Sequence, residues 1–236
     1  MNGAPLEQLR KDYATYRTYC DCGRRVVMSY AKNSELMIRM SGTVDHDDIV
    51  KGVIYRMKDF DAVVEKTIRK KYPLTMDSIR AKITDIAGVR IITYYRDDVY
   101  RVRNEIVRSS GLKVLEEIDY IKDPKPNGYR SLHLVLEVPI SIPSKGKTTV
   151  EGENAAEDKK APAIIVPVEV QIRSMFEEVW GEGDHLINYK NDTPSEEAVA
   201  AFKDIGDLLD QLDDDLIRLR DNLPLKTKRE PEKPST

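Results

Sequence analysis

Apolar side chains recur every three or four residues in three long parts of the chain, which is the spacing of an amphipathic helix. Residues 5–40 predict one or two helices, because Gly23 and Asn33 could each interrupt the pattern. Residues 49–71 predict a further helix with one apolar and one basic face. Residues 196–220 predict a last amphipathic helix, whose apolar stripe suits core packing and a subunit contact equally well.

Shorter apolar and alternating runs between these helices predict strands. The β-branched run from Val89 predicts a buried strand, and Gly111 is typical of the end of the helix that follows it. The expected strands are residues 89–95, 112–119, 131–138 and 164–173. The expected shorter helices are residues 77–82, 97–109 and 174–187, the last capped by Ser174.

This order of elements predicts an α+β fold, a mixed sheet of four to five strands covered by helices. We expect residues 1–48 to form an N-terminal helical extension and residues 49–192 the main domain. Residues 140–162 lack apolar periodicity and predict a flexible insertion. Residues 193–224 then form a C-terminal helix, and the charged, proline-rich residues 225–236 predict a disordered tail.

Composition narrows the protein class. The 236 residues are 40% hydrophobic and 33% charged, with no membrane-length apolar run and no signal-peptide pattern, so we expect a cytoplasmic protein without a membrane partner. The net charge of −3 argues mildly against a nucleic-acid partner. Cys20 and Cys22 match neither a redox pair nor a zinc site, and the P-loop and dinucleotide glycine patterns are absent.

Three groups of residues carry candidate chemistry. Asp85 and Glu169 are carboxylates next to predicted strands, and two carboxylates can hold Mg²⁺ together with water and phosphate oxygens. Cations on the predicted helix at residues 49–71 could neutralise a polyphosphate, although a basic face is usually only solvated. Tyr129 lies in a turn segment, residues 125–133, where its ring could stack on a base for roughly 1–3 kcal/mol. Together they predict a site for nucleotides and Mg²⁺.

Three segments resemble the synthetase motifs of RelA/SpoT-type alarmone synthetases. They are Asp-Ile-Ala-Gly-Val-Arg-Ile at residues 85–91, Lys-Pro-Asn-Gly-Tyr-Arg-Ser-Leu-His at 125–133, and Val-Glu-Val-Gln-Ile-Arg at 168–173. His185 and the Asn-Tyr-Lys at residues 188–190 fit the same pattern. The resemblance covers about residues 50–190 and is closest to the small alarmone synthetases. It implies a nucleotidyltransferase-like fold with ATP and the acceptor bound side by side.

The resemblance implies a GTP diphosphokinase that transfers the pyrophosphate of ATP to the 3′-hydroxyl of GDP or GTP, giving (p)ppGpp in the stringent response. It implies that Asp85 and Glu169 are catalytic and hold Mg²⁺, that Glu169 is the general base, and that Tyr129 stacks on guanine. The implied ATP-binding residues are Arg56, Lys58, Lys66, Arg69 and Arg90. The implied acceptor-binding residues are Lys125, Asn127, Tyr129, Arg130, His133, Gln171, Arg173, His185 and Asn188.

The identity of the acceptor and the partners stay open at this stage. Asp59 and Ala62 stand where many members of the family have serines, and Asp184 precedes His185. One alternative is a toxin-type relative that pyrophosphorylates adenosine nucleotides or the tRNA 3′ end. A second alternative is a non-catalytic nucleotide-binding sensor. The resemblance also implies a homotetramer and leaves open regulation by RNA.

Overall fold

The computed structural model describes residues 3–42, 44, 46, 48–141, 163–188 and 195–222, which contain six helices and five strands. In chain order the elements are α1 Gly3–Met40, β1 Val50–Met57, α2 Phe60–Arg69, α3 Met76–Lys82, β2 Ala87–Thr93, α4 Arg96–Ser110, β3 Lys113–Asp119, β4 Leu132–Ser141, β5 Ala163–Ser174, α5 Met175–Asn188 and α6 Glu196–Asn222. No helix in these ranges is both long enough and apolar enough to cross a bilayer.

The five strands form one mixed sheet in the order β1-β2-β5-β4-β3. β2 and β5 run parallel at its centre, and every other neighbouring pair is antiparallel. Along β5 the residues Val168, Val170 and Ile172 are fully buried and alternate with the more polar positions between them. One face of the sheet is therefore packed, and the other is free to carry chemistry. The α+β class and the mixed sheet predicted from the sequence are confirmed.

α1 is one uninterrupted helix that packs against the sheet. Gly23, which the sequence marks as a candidate break, lies where α1 approaches β5, and a Cβ there would come within 2.6 Å of Val166 Cγ2. Glycine costs a helix interior roughly 0.5–1 kcal/mol relative to alanine. Here the missing side chain lets the helix and the sheet approach each other closely.

The predicted helix at residues 49–71 is wrong, because its first half is strand β1. β1 pairs antiparallel with β2 from Val50 opposite Thr93 to Met57 opposite Ala87. Its β-branched and aromatic residues suit a pleated surface, and this pairing prevails over the apolar spacing that also fits a helix. Asp59 then caps α2, since its side chain accepts a hydrogen bond from the Ala62 backbone nitrogen. Arg56 therefore comes from a strand and Lys58 from the short loop that follows it, not from a basic helix.

The remaining predicted elements are confirmed to within a few residues. Gly111 ends α4 with φ of +62°, the left-handed conformation that glycine adopts readily. Ser174 and Glu177 cap α5 reciprocally: Ser174 Oγ accepts from the Glu177 nitrogen, and Glu177 Oε2 accepts from the Ser174 nitrogen. β4 extends to Ser141, two positions into the predicted insertion; the rest of that insertion and the predicted tail lie outside the described residues.

Candidate active site

The two candidate carboxylates meet on the free face of the sheet. Asp85 lies just before β2, and Glu169 on β5 is opposite Gly88 in the parallel pairing of the two strands. Arg56, from the edge strand β1, places its Nη2 atom 3.8 Å from Asp85 Oδ2 and 3.7 Å from Glu169 Oε2. The carboxylates are thus neighbours on either side of one guanidinium.

Two lysines hold Asp85. Lys58 Nζ donates to Asp85 Oδ2 at 2.6 Å, and Lys66 Nζ lies 2.8 Å from the same oxygen. Burial raises the pKa of Asp85, but the hydrogen bonds and charges of the two lysines outweigh burial and hold that pKa below its usual value. We call Arg56, Lys58, Lys66 and Asp85 the lysine side of the cleft. Arg69 is not part of it, because its exposed guanidinium pairs with Glu65 at 3.6 Å.

The carboxylates fit the requirements of Mg²⁺. Asp85 Oδ1 is buried, and no group in the described ranges donates a hydrogen bond to it. Those ranges hold no cluster of three or more histidine, cysteine, aspartate or glutamate side chains that could enclose a metal. Mg²⁺ usually takes only one or two carboxylates and fills its other positions with water and substrate phosphates. Asp85 and Glu169 could therefore hold Mg²⁺ beside a bound phosphate chain.

Glu169 also faces a second group of side chains. His133 Nδ1 lies 3.4 Å from Glu169 Oε1, and Gln171 Nε2 donates to Glu169 Oε2 at 3.2 Å. Burial raises the pKa of Glu169, but His133 and Arg56 outweigh burial, so its net pKa is lowered. Glu169 is therefore ionised near neutral pH and able to accept a proton. We call Tyr129, His133, Glu169, Gln171 and Arg173 the tyrosine side.

Tyr129 is held by a tight turn and by other aromatic rings. Gly128 forms this turn with φ of +86°, a conformation that favours glycine. A Cβ atom on Gly128 would also come within 2.9 Å of Lys203 Cα in α6. Asn127 supports this turn, since its Oδ1 accepts from the Tyr129 nitrogen at 3.3 Å. Lys125 Nζ lies 4.5 Å from the centre of the Tyr129 ring. The ring also makes edge-to-face contacts with Tyr120, His133 and Trp180.

The other predicted site residues do not all face the cleft. Arg130 turns away from the cleft to α6, where Nη2 donates to Asp207 at 2.9 Å and Nε lies 3.4 Å from Asp210. Arg90 Nη1 donates to Glu178 and Glu182 at 2.9 and 3.0 Å. His185 lines the cleft. Asn188 ends α5, and its side chain is outside the described part.

Two adjoining cavities run over this part of the sheet. A cavity of about 190 Å³ is lined by Ile54, Tyr55, Arg56, Gly88, Val89, Arg90, Glu169 and Gln171. A second, of about 360 Å³, is lined by Arg56, Arg90, Tyr129, Gln171, Arg173, Trp180, Gly181, Glu182, Asp184 and His185. Arg56, Arg90 and Gln171 line both cavities. Two ligands could therefore lie side by side with Glu169 near their boundary.

Four site residues were missed from the sequence. Tyr55 lines the smaller cavity from β1, a strand that the helical spacing concealed. Tyr120 and Trp180 pack against Tyr129, and Glu178 accepts hydrogen bonds from both Arg90 and Arg173. The signal for Glu178 was available, since an acid in the first turn after a strand ending in arginine can fold back on that arginine. Aromatic packing around Tyr129 depends on tertiary contacts that spacing does not encode.

Comparison with known proteins gives consistent matches. The model of the region found in RelA / SpoT proteins matches residues 55–194. GTP pyrophosphokinase YwaC of Bacillus subtilis is 34% identical over 167 residues, which are 70% of this chain and 71% of the relative. GTP pyrophosphokinase YjbM of the same organism is 33% identical over 147 residues, or 62% of this chain and 59% of that protein. The crystal structure of small alarmone synthetase 1 from Bacillus subtilis bound to its product pppGpp shares the fold, with TM-score 0.73, 24% identity, and coverage of 91% of this chain and all of the other.

Proposed function

This chain belongs to the RelA/SpoT family, and we propose that it is a (p)ppGpp synthetase that transfers the β,γ-pyrophosphate of ATP to the 3′-hydroxyl of GDP or GTP. The observation that carries the proposal is Glu169, an ionised carboxylate near the boundary of two adjoining cavities and beside a second, lysine-bound carboxylate. Such a site can position two nucleotides and take a proton from one of them. The product would act in the stringent response.

On the lysine side, ATP binds with its phosphate chain near Asp85. Lys58 and Lys66 exchange part of their contact with Asp85 for phosphate oxygens, and Arg56 spans the boundary to Glu169. Asp85 and Glu169 would hold Mg²⁺, which when bound would supply positive charge against the phosphates. Tyr55 and Ile54 give the smaller cavity an apolar wall that suits a base.

On the tyrosine side, the acceptor nucleotide stacks its guanine on Tyr129 and directs its 3′-hydroxyl to Glu169. Glu169 takes the hydroxyl proton, the 3′-oxygen forms a bond to the β-phosphorus of ATP, and the bond from that phosphorus to the α-phosphate oxygen breaks, so that AMP leaves. The enzyme contributes position and charge, since phosphoryl transfer requires little covalent chemistry from the protein.

Assembly and location complete the proposal. Exposed apolar side chains on α6, at Ile205, Leu208, Leu212 and Leu219, are spaced by three, four and seven residues and so share one face of the helix. An amphipathic stripe of this kind suits contacts between subunits, and we propose a homotetramer. We also propose a cytoplasmic location, because ATP and GTP are the substrates.

The function is tested with ATP labelled at the γ-phosphate and GDP, GTP, AMP or tRNA as separate acceptors. We expect label in the guanosine nucleotides, and label only in AMP or tRNA would contradict the proposal. Glu169→Gln should lower kcat by about 10²–10⁴-fold while the nucleotides still bind, because the amide cannot take the proton. Glu116→Gln on β3, an exposed carboxylate, is the matched control. Near-normal turnover of Glu169→Gln would exclude Glu169 as the base.

A further inference from the structure

The five side chains of the tyrosine side form a closed ring of polar contacts that begins and ends at Glu169. We propose that Arg173 is a positioning residue, which orients Glu169 through the two arms of this ring, and that it does not bind the acceptor nucleotide. This inference rests on the proposed role of Glu169 as the base. It changes the expectation from the sequence, which assigned Arg173 to acceptor binding.

The short arm runs along β5. Arg173 Nη2 donates to Gln171 Oε1 at 2.9 Å, and Gln171 Nε2 donates to Glu169 Oε2 at 3.2 Å. The three residues alternate along the strand and project from the same face of the sheet. The Gln171 amide accepts a hydrogen bond from Arg173 and donates one to Glu169. The position of the Arg173 guanidinium therefore fixes the amide, and the amide fixes one oxygen of the Glu169 carboxylate.

The long arm passes through the neighbouring strand. Arg173 Nη2 donates to Tyr129 Oη at 3.0 Å, Tyr129 Oη lies 2.7 Å from His133 Nε2, and His133 Nδ1 lies 3.4 Å from Glu169 Oε1. It thus reaches the other oxygen of the carboxylate. With one arm on each oxygen, rotation of the Glu169 side chain breaks at least one contact.

The direction of the hydrogen bonds follows from the two ends of the ring. A guanidinium can only donate, and an ionised carboxylate can only accept. His133 Nδ1 must therefore carry the hydrogen that faces Glu169. In the neutral imidazole this leaves Nε2 as the acceptor of the Tyr129 hydroxyl hydrogen. The ring thus assigns a tautomer to His133 that distances alone would leave open.

Arg173 itself is held in place by burial and by Glu178 on α5. It is only 4% exposed, and Nη1 donates to Glu178 Oε2 at 3.0 Å. Both terminal nitrogens of the guanidinium are thus engaged by protein groups, which leaves it poorly placed to bind a phosphate. Space for the guanidinium comes from Gly181 on α5, where a Cβ would overlap Arg173 Nη1. At Gly183, two residues further along, a Cβ would meet nothing within 4 Å.

Tyr129→Phe tests the long arm and leaves the aromatic ring available for stacking. Gly181→Ala displaces the guanidinium and loosens both arms, and Gly183→Ala is its matched control in the same helix. We expect Tyr129→Phe and Gly181→Ala each to lower kcat about fivefold to tenfold, a loss on the scale of a hydrogen bond's net contribution, with the KM for GDP within about twofold of the wild type. Gly183→Ala should keep the wild-type kcat. A raised KM with an unchanged kcat would instead show that these groups bind the acceptor, and would overturn the proposal.

A double variant tests whether Tyr129→Phe and Gly181→Ala act through one shared ring or cause two unrelated defects. Residues that act as a unit have non-additive effects, so Tyr129→Phe combined with Gly181→Ala should lose little more than the worse single variant. Multiplied losses would contradict the ring. Calorimetric binding of GDP, unchanged in both variants, gives a readout other than turnover. Failure of the proposed function remains distinguishable, because in that case the wild-type protein itself would transfer no label to GDP or GTP.

A direct measurement reads the tautomer. The chain has three histidines, so ¹⁵N-histidine NMR spectra are simple, and His133→Asn identifies the signals of that residue. With the imidazole neutral, we expect Nδ1 of His133 to carry the hydrogen in the wild type. A spectrum in which Nε2 carries it would overturn the long arm, whatever the kinetic results.

Discussion

The lysine side and the tyrosine side of the cleft hold their carboxylates by different means. Asp85 is held by ion pairs from Lys58 and Lys66, beside the edge strand β1, on which Tyr55 is 57% exposed. Glu169 is held by a ring of directed contacts behind which Trp180 packs at 4% exposure. The first arrangement can exchange its partners, and the second is already built before any ligand arrives.

This difference matches the roles that we propose for the two sides. A phosphate chain needs cations that can leave one anion for another, and flexible lysine ammonium groups do this at little geometric cost. A general base must stay within hydrogen-bond reach of one hydroxyl, so its orientation has to be fixed in advance. The comparison indicates that changes on the lysine side should act on metal and ATP binding, whereas changes on the tyrosine side should act on turnover.

Asp85→Asn is the most severe test of the lysine side. The amide loses the charge that attracts both lysines and is a poorer ligand for Mg²⁺, so we expect turnover to fall by about 10²–10³-fold and the required Mg²⁺ concentration to rise. Kinetics over a Mg²⁺ titration measure both effects. Asp61→Asn, at a carboxylate that is 79% exposed and pairs with Arg10, is the control. A loss in turnover with an unchanged Mg²⁺ dependence would show that Asp85 acts on turnover as Glu169 does, and would contradict the difference between the two sides.

Lys66→Gln should have a smaller effect, confined to ATP. We expect the KM for ATP to rise about tenfold with little change for GDP, because one of the cations proposed to contact the phosphates is lost. Arg69→Gln, three residues further along α2, should change the KM for ATP by less than twofold, since its guanidinium pairs with exposed Glu65. Steady-state kinetics at fixed ionic strength compare the two. Equal effects would return Arg69 to the lysine side, where the sequence had placed it.

Much of the fold and of the candidate site could be predicted from the sequence, and the parts that were missed have physical reasons. The family and the α+β fold are confirmed. The motif segments around Asp85, Tyr129 and Glu169 lie on strands or directly before them, and the apolar pattern of those strands is visible in the sequence. Strand β1 was missed, since its apolar positions also fit helical spacing and only pairing with β2 decides between them. The direction of Arg130 towards α6 and the ring through Arg173 depend on side-chain torsions and tertiary contacts.

The two sides should also respond to pH in opposite directions. The pKa of Asp85 is held low, so its ion pairs stabilise the protein above the usual pKa of a carboxyl group and are lost on acidification. Behind the tyrosine side, burial raises the pKa of Glu177 from 4.5 to about 8, and burial raises that of Asp213 on α6 to about 6. A carboxyl with a raised pKa binds more protons in the folded state than in the unfolded state. The free energy of unfolding should therefore fall as pH rises from about 4.5 to 8.

Glu177→Gln isolates this second effect. The amide oxygen can still accept from the Ser174 nitrogen and cap α5, but the side chain no longer titrates. We expect the fall in the free energy of unfolding between pH 5 and pH 8 to shrink by roughly 3 kcal/mol, the linkage expected when a carboxyl with a pKa raised from 4.5 to about 8 no longer has to lose a proton inside the fold. Urea unfolding at several pH values measures this, with exposed Glu197→Gln on α6 as the control. If Glu177→Gln keeps the full wild-type slope, the buried carboxyl is not what makes the tyrosine side sensitive to alkali. The slope would then have to come from another buried carboxyl, and Asp213 on α6, whose pKa burial also raises, is the group to test next.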